Sequence, residues 1–179
     1  MAAGMRLDFP AVNLAAEFDH AYRNRSQEHR QHLADVGVTF QAMLRAGDLG
    51  VERICTSGRL YVPSPGGFPA IILAIWSPAP PSIYRAVENP VVTDLIAFRT
   101  DDRGRWWHRI GEPDLILGED RYLNSITTGA PLKVFNSPLA WLKGACAGAC
   151  LLDDCEARWT AERSAEDEAA LADWWRAAS

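Results

Sequence analysis

Leu132-Lys133-Val134-Phe135, then Ser137-Pro138-Leu139-Ala140-Trp141-Leu142-Lys143-Gly144, then Ala149-Cys150-Leu151-Leu152: this run decides the architecture of the chain's second half. Ser137 offers a capping hydroxyl just ahead of a proline preset for the first helical position, and Gly144 can end the element, so Ser137 to Ala145 reads as a short helix. The apolar runs on either side, Leu132 to Phe135 and Ala149 to Leu152, read as short buried strands. Two strands joined by one helix are expected to lie side by side and point the same way, with a right-handed crossover. In sheets with parallel strands, ligands collect beyond the carboxyl ends of the strands. That rule places a candidate ligand crevice beside Ser137 and after Leu152.

Working outward, Glu119 and Asp120 follow Gly118 and suit the positive end of a helix running to about Thr127. A last helix is expected from Ser164, with Asp167 three residues on, burying Leu171, Trp174 and Trp175. Towards the amino end, Val51 to Val62 and Phe68 to Trp76 are strand-like, and Pro63-Ser64-Pro65-Gly66-Gly67 between them predicts a hairpin. Ser77-Pro78-Ala79-Pro80-Pro81 then halts the sheet. Val91 to Arg99 and Arg105 to Ile110 form a second hairpin around Asp101-Asp102-Arg103-Gly104. The first 50 residues are helical: Leu14, Ala15, Phe18 and Tyr22 mark a short helix, and Ser26 caps a second in which Leu33, Val36, Phe40, Met43 and Leu44 recur at helical spacing. A break at Gly37 would give something like a helix-turn-helix, but the gap from Ala34 to Gly37 is one residue short of DNA-reading versions, and a core-packing helical hairpin is the reading adopted. The fold class is therefore α+β: an N-terminal helical hairpin, a mostly antiparallel mixed sheet, and a C-terminal α-β-α-β-α segment. One domain is expected over residues 1–179, divided into a helical part (1–50), β-hairpins (51–117) and an α/β ending (118–179).

At 179 residues, 48% apolar and 23% charged, the chain has the composition of a globular domain. The longest apolar run, Phe68 to Trp76, falls far short of the roughly 20 residues of a membrane-crossing helix, so no membrane partner is expected. Arg6 and Asp8 interrupt the amino end before any stretch of signal-peptide length, and a cytoplasmic location is the expectation. The formal net charge is -5. Positive and negative residues balance up to Leu152, so the excess acid belongs to residues 153–179. A summed basic field for nucleic acid is therefore missing, and the acidic end reads as a solvated helix face.

Common catalytic signatures are absent: no phosphate-binding P-loop, no G-x-G-x-x-G, no G-x-S-x-G and no H-E-x-x-H. Cys146, Cys150 and Cys155 form C-x3-C-x4-C, but zinc needs a second pair, for which only Cys55 and a histidine are available; these cysteines read as reduced core residues. His29, His32 and Asp35 would share a helix face at i, i+3 and i+6, yet Arg23, Arg25 and Arg30 surround them and oppose a bound cation. Two candidate sites remain. Asp153, Asp154 and Glu156 directly follow the second strand of the crossover unit and could hold Mg2+ or Mn2+, while Ser137 and its backbone hold a phosphate. Arg105, Trp107 and Arg109 could form a ligand strip that stacks bases and contacts phosphates, with Trp106 and His108 on the opposite strand face.

The segments Asp94-Leu95-Ile96-Ala97-Phe98, Arg105-Trp106-Trp107-His108-Arg109-Ile110-Gly111, Pro131-Leu132 with Ser137-Pro138-Leu139-Ala140-Trp141-Leu142, and Gly148-Ala149-Cys150-Leu151-Leu152-Asp153 resemble an uncharacterised family of conserved bacterial proteins met in prophage-like regions. The resemblance covers residues 90–153. It implies an accessory role in a phage or mobile element and assigns no functional residue. The expected function is a small non-enzymatic binding or accessory protein that meets a protein partner through exposed tryptophans. The alternatives are a metal-dependent enzyme on phosphate esters and a nucleic-acid-binding protein.

Overall fold

The computed structural model describes residues 12–77, 91–101, 105–111 and 115–152. In chain order the elements are α1 (Leu14–Arg23), α2 (Gln27–Asp35), α3 (Phe40–Arg45), β1 (Gly50–Ser57), β2 (Leu60–Pro63), β3 (Phe68–Ser77), β4 (Val91–Phe98), β5 (Trp106–His108), β6 (Ile116–Leu117), α4 (Glu119–Thr128), β7 (Val134–Phe135), α5 (Pro138–Lys143) and β8 (Ala149–Leu151). The class is α+β. The helix expected from Ser164, the proline-rich stop after Ser77 and most of the Asp101–Gly104 turn lie outside the described residues. Among the described residues no helix is long and apolar enough to cross a membrane.

The amino-terminal region forms three helices instead of a hairpin. Ser26 caps α2 as read from the sequence, and it does so in a reciprocal box: the Ser26 backbone N–H donates to Nδ1 of His29 at 3.0 Å, while the Ser26 hydroxyl accepts the His29 N–H. The chain then breaks at Gly37, whose φ of 94° is open to glycine at little cost, and Thr39 caps α3. That break shifts the helical phase. Leu33 and Met43 stay in the core, whereas Phe40 and Leu44, expected on the same face, project into solvent.

Strand order in the larger sheet is β1-β2-β5-β4-β3, closed into a barrel by antiparallel pairing of β3 with β1. The stretch Val51 to Val62 is two strands, not one. Ser57 pairs with Leu60 across Gly58, whose φ is 55°, so the tight hairpin forms here and not at Pro63–Gly67. Residues 63 to 67 instead carry the chain around the middle of β1, because Ile54 pairs with Pro63 on one side and Phe68 on the other. Gly67 is pressed against the chain there: a Cβ on it would lie 2.1 Å from the Ile54 carbonyl oxygen. The second hairpin is as expected, with Ile96 opposite His108 and Phe98 opposite Trp106.

The parallel pairing of the crossover unit is also as read. β7 and β8 are parallel, Val134 opposite Ala149 and Phe135 opposite Cys150, with α5 between them. They belong to a separate three-stranded sheet in the order β6-β8-β7. β7 is shorter and less buried than expected: Val134 is 58% exposed because β7 is an edge strand.

Alternation along the barrel strands feeds two cores. Ile71, Leu73, Ile75, Ile96, Phe98 and Trp106 pack with α2, α3, α5 and β8. Ile72, Ala74, Leu95, Ala97, Tyr61 and Trp107 pack with Phe18 and Ala21 of α1. Trp106 and Trp107 thus point to opposite faces, as strand geometry requires, and both faces are covered.

Candidate functional site

The structure answers for the sequence candidates individually. Ser137 is buried and its hydroxyl accepts the Ala140 N–H at 3.2 Å, so its polar group is consumed in starting α5. Asp153, Asp154 and Glu156 lie outside the described residues. In the strip Arg105, Trp107, Arg109, the rings of Trp107 and of neighbouring Trp106 are buried, as are His108 and Arg109, while Arg105 is half-buried. No ring on β5 is reachable by a base. Of the described tryptophans only Trp76 is partly exposed, at 38%, and Trp141 is core. An aromatic docking surface therefore has little support from the described residues, and Trp174 and Trp175 lie outside them.

The strip has structural duties instead. Asp94, fully buried on β4, accepts backbone N–H groups from Leu95, Arg109 and Ile110 on one carboxylate oxygen and from Gly111 on the other. The second oxygen also faces Nδ1 of His108 at 3.0 Å. Nε2 of His108 and the indole N–H of Trp106 both approach the Leu152 carbonyl, at 3.4 and 3.2 Å. Arg109 grips Glu17 of α1 with two parallel bonds, Nε to Oε2 at 2.7 Å and Nη2 to Oε1 at 2.9 Å. Its buried Nη1 is left without a hydrogen bond.

His29, His32 and Asp35 do not converge. His29 completes the α2 cap, His32 Nε2 lies 2.7 Å from the Thr100 hydroxyl, and Asp35 accepts from Gln31. Cys55 is exposed, Cys146 half-buried and Cys150 buried, all as free thiols; Cys155 lies outside the described residues. Among the described residues no three His, Cys, Asp or Glu side chains are grouped to hold a metal ion.

Two cavities stand out. The larger, about 680 Å³, opens beside Trp141 at the start of α4 and is lined by Arg45, Trp76, Gly118, Glu119 and Leu123, among others. Gly118 and Trp141 both meet Gly148, just before β8, so this cleft sits at the amino end of the parallel pair, opposite the expected crevice.

The smaller, about 320 Å³, lies beneath α1 and is the richer chemically. Asn13, Glu17 and His20 fall on one face of α1 at i, i+4 and i+7, and this polar stripe turns towards Glu52 of β1 and Tyr61 of β2. Glu52 is held by His20 Nε2 at 3.3 Å, by Asn24 Nδ2 at 3.3 Å and by the Arg53 N–H at 2.8 Å. Ala16, Ala21, Pro63, Ile72 and Leu95 supply apolar walls. Tyr61 lines the cavity although only 2% of it is exposed, and none of the hydrogen bonds among the described residues engages its hydroxyl. Burial, followed by the charges of Glu17 and Asp94, pushes the phenol well above the ordinary tyrosine range, against the opposing pull of Arg109, so it stays protonated. Sequence reasoning passed over Glu17, Glu52 and Tyr61. The available signal was the stripe Asn13, Glu17, His20, Asn24, which reads as a solvated helix face until a strand carboxylate is known to lie opposite it. No protein-family model matches the chain, and neither a curated protein nor a solved structure is significantly similar to it.

Proposed function

We propose that this chain is a small non-enzymatic binding protein that captures a side chain of a protein partner in the pocket beneath α1. One observation carries the reading: the Tyr61 hydroxyl makes no hydrogen bond among the described residues and lines a cavity at the lower end of the roughly 300–1,000 Å³ typical of ligand sites. A hydroxyl that opens onto a narrow pocket can exchange a water for a polar group of a guest. Neighbouring polar groups are largely engaged with one another, as in the Asp94–His108 and Glu17–Arg109 pairs. An accessory role in a phage or mobile element extends the same proposal and rests on the resemblance over residues 90–153.

The test is amide NMR of the full chain titrated with a panel of small side-chain analogues covering charged, neutral polar and apolar types. Saturable shifts of the Tyr61, Glu52 and α1 amides, with the analogue recovered unchanged, are expected. Chemical conversion of an analogue, or a panel that leaves the pocket amides still, overturns the reading.

A further inference from the structure

We propose, resting on that reading, that the pocket beneath α1 is a site for a primary alkylammonium group, supplied by a lysine side chain of the partner. Charge is the first reason. Glu17 has its cation in Arg109, but Glu52, whose side chain is 16% exposed, is held only by an imidazole, a side-chain amide and a backbone N–H; no Lys or Arg among the described residues pairs with it. A carboxylate so far removed from water and lacking a cation favours a cationic guest.

Hydrogen-bonding capacity is the second reason. An ammonium carries three donors and no acceptor. The pocket offers Tyr61 Oη with both lone pairs unused, and Glu17 and Glu52 with lone pairs beyond those taken by Arg109, His20, Asn24 and the Arg53 N–H. Burial does most to lift the Tyr61 phenol; Glu17, Asp94 and Glu52 add to it while Arg109 opposes them, and the same carboxylates would disfavour an anionic guest.

Shape is the third reason. Ala16, Pro63, Ile72 and Leu95 provide the apolar walls along which a methylene stem can lie with its charged head on the polar groups. A guanidinium fits less well, because its fork needs both oxygens of one carboxylate, and those of Glu17 are already occupied by the Arg109 fork. A hard metal ion requires a shell of six or more oxygens, and no such grouping of carboxylates and histidines occurs among the described residues.

The experiment uses the full 179-residue chain and amide NMR with four probes: n-butylammonium, Nα-acetyl-lysine methylamide, n-butanol and butyrate. Both ammonium probes should bind saturably with Kd in the millimolar range and shift the Tyr61 and Glu52 amides, while butanol and butyrate do not. Glu52→Gln, which keeps the shape and removes the charge, should weaken the ammonium probes at least tenfold. Tyr61→Phe, which keeps the buried ring and removes only the hydroxyl, should weaken them about threefold to tenfold with a circular-dichroism melt no lower than that of the parent chain. If butanol or butyrate binds in the pocket and the ammonium probes do not, the cation assignment falls and the binding reading stands. Binding of butylammonium but not of the blocked lysine overturns the lysine source. If none of the probes moves the pocket amides, both the assignment and the binding reading are overturned.

Discussion

Replacing Asp94 should test the reading of β4 and β5 most directly. Its carboxylate is fully buried and accepts four backbone N–H groups, from Leu95 at 2.7 Å, Arg109 at 3.1 Å, Ile110 at 3.0 Å and Gly111 at 3.2 Å, in addition to facing the His108 ring. A hydrogen bond to a charged group contributes about 1.5–3 kcal/mol, so a simple sum over these partners would be as large as the whole stability of an ordinary domain, about 5–15 kcal/mol. The sum overstates the loss, because the segment after β5 can open and let some N–H groups reach water. Removing one partner of a buried charged pair costs about 3–5 kcal/mol, and Asp94→Ala should fall there. Asp94→Asn should cost less, about 2 kcal/mol. Its amide oxygen can keep the three N–H groups of Leu95, Arg109 and Ile110, and the His108 ring can accept from the new NH2 at Nδ1 in the tautomer that carries its proton on Nε2, facing the Leu152 carbonyl. Urea unfolding followed by tryptophan fluorescence measures both, with Trp106 and Trp107 adjoining the site. Losses below about 1 kcal/mol for both variants, at an unchanged dependence on urea, would refute the claim that this carboxylate organises the end of the hairpin.

Three further expectations follow from other elements. Gly67→Ala should lower stability by about 2–3 kcal/mol, because the new Cβ would meet the Ile54 carbonyl oxygen at 2.1 Å, whereas Gly66→Ala, with nothing within 4 Å, should be nearly silent; a thermal melt of the pair decides it. Burial lowers the pKa of His29 below the ordinary imidazole value, and its Nδ1 must stay unprotonated to accept the Ser26 N–H, so its contribution is complete above about pH 6.5 and is lost as pH falls below that. His29→Gln keeps an acceptor in the capping box and should remove roughly one proton's worth of slope from the acid limb of stability against pH, leaving the part due to His32; an unchanged slope would count against the assignment. In a Cys155→Ser background a thiol reagent at pH 8 should label exposed Cys55 quickly, half-buried Cys146 far more slowly because burial pushes its thiol up to about 11, and buried Cys150 only after denaturant is added; labelling of Cys150 in the native protein contradicts the packing around β8.

The sequence was most legible where one residue type has one backbone role. Ser137-Pro138 and Gly144 bracket α5, Ser26 caps α2, and the apolar runs around α5 pair in parallel, because caps and periodicity are local signals. Legibility failed where the outcome depends on a distant partner. Nothing within Pro63–Gly67 says that the chain will loop around Ile54 and hand β3 to the far side of β1. Phe40 was assigned to the core from a helical phase that Gly37 resets. The candidate strip failed for the same reason. Arg105 to Arg109 has the composition of a binding motif, but its meaning is fixed by Asp94, Glu17 and Leu152, which lie on three other segments.

That failure explains where a site can remain. The Leu152 carbonyl, at the exit of the crossover unit, is stitched to the barrel by the Trp106 indole and faces His108, whose other nitrogen rests on Asp94. Trp106 and His108, among the most chemically suggestive residues of the sequence, therefore join the two sheets and spend their ring nitrogens inside the protein. Binding falls to groups that folding leaves unsatisfied. Tyr61 is such a group: it lies on β2, which pairs with β5 only at Leu60 opposite His108, and the cavity it lines runs beneath α1, which packs on β1, β3 and β4. A polar stripe on α1, set over a tyrosine whose hydroxyl no hydrogen bond among the described residues engages, makes a pocket lined by two carboxylates and a phenol hydroxyl.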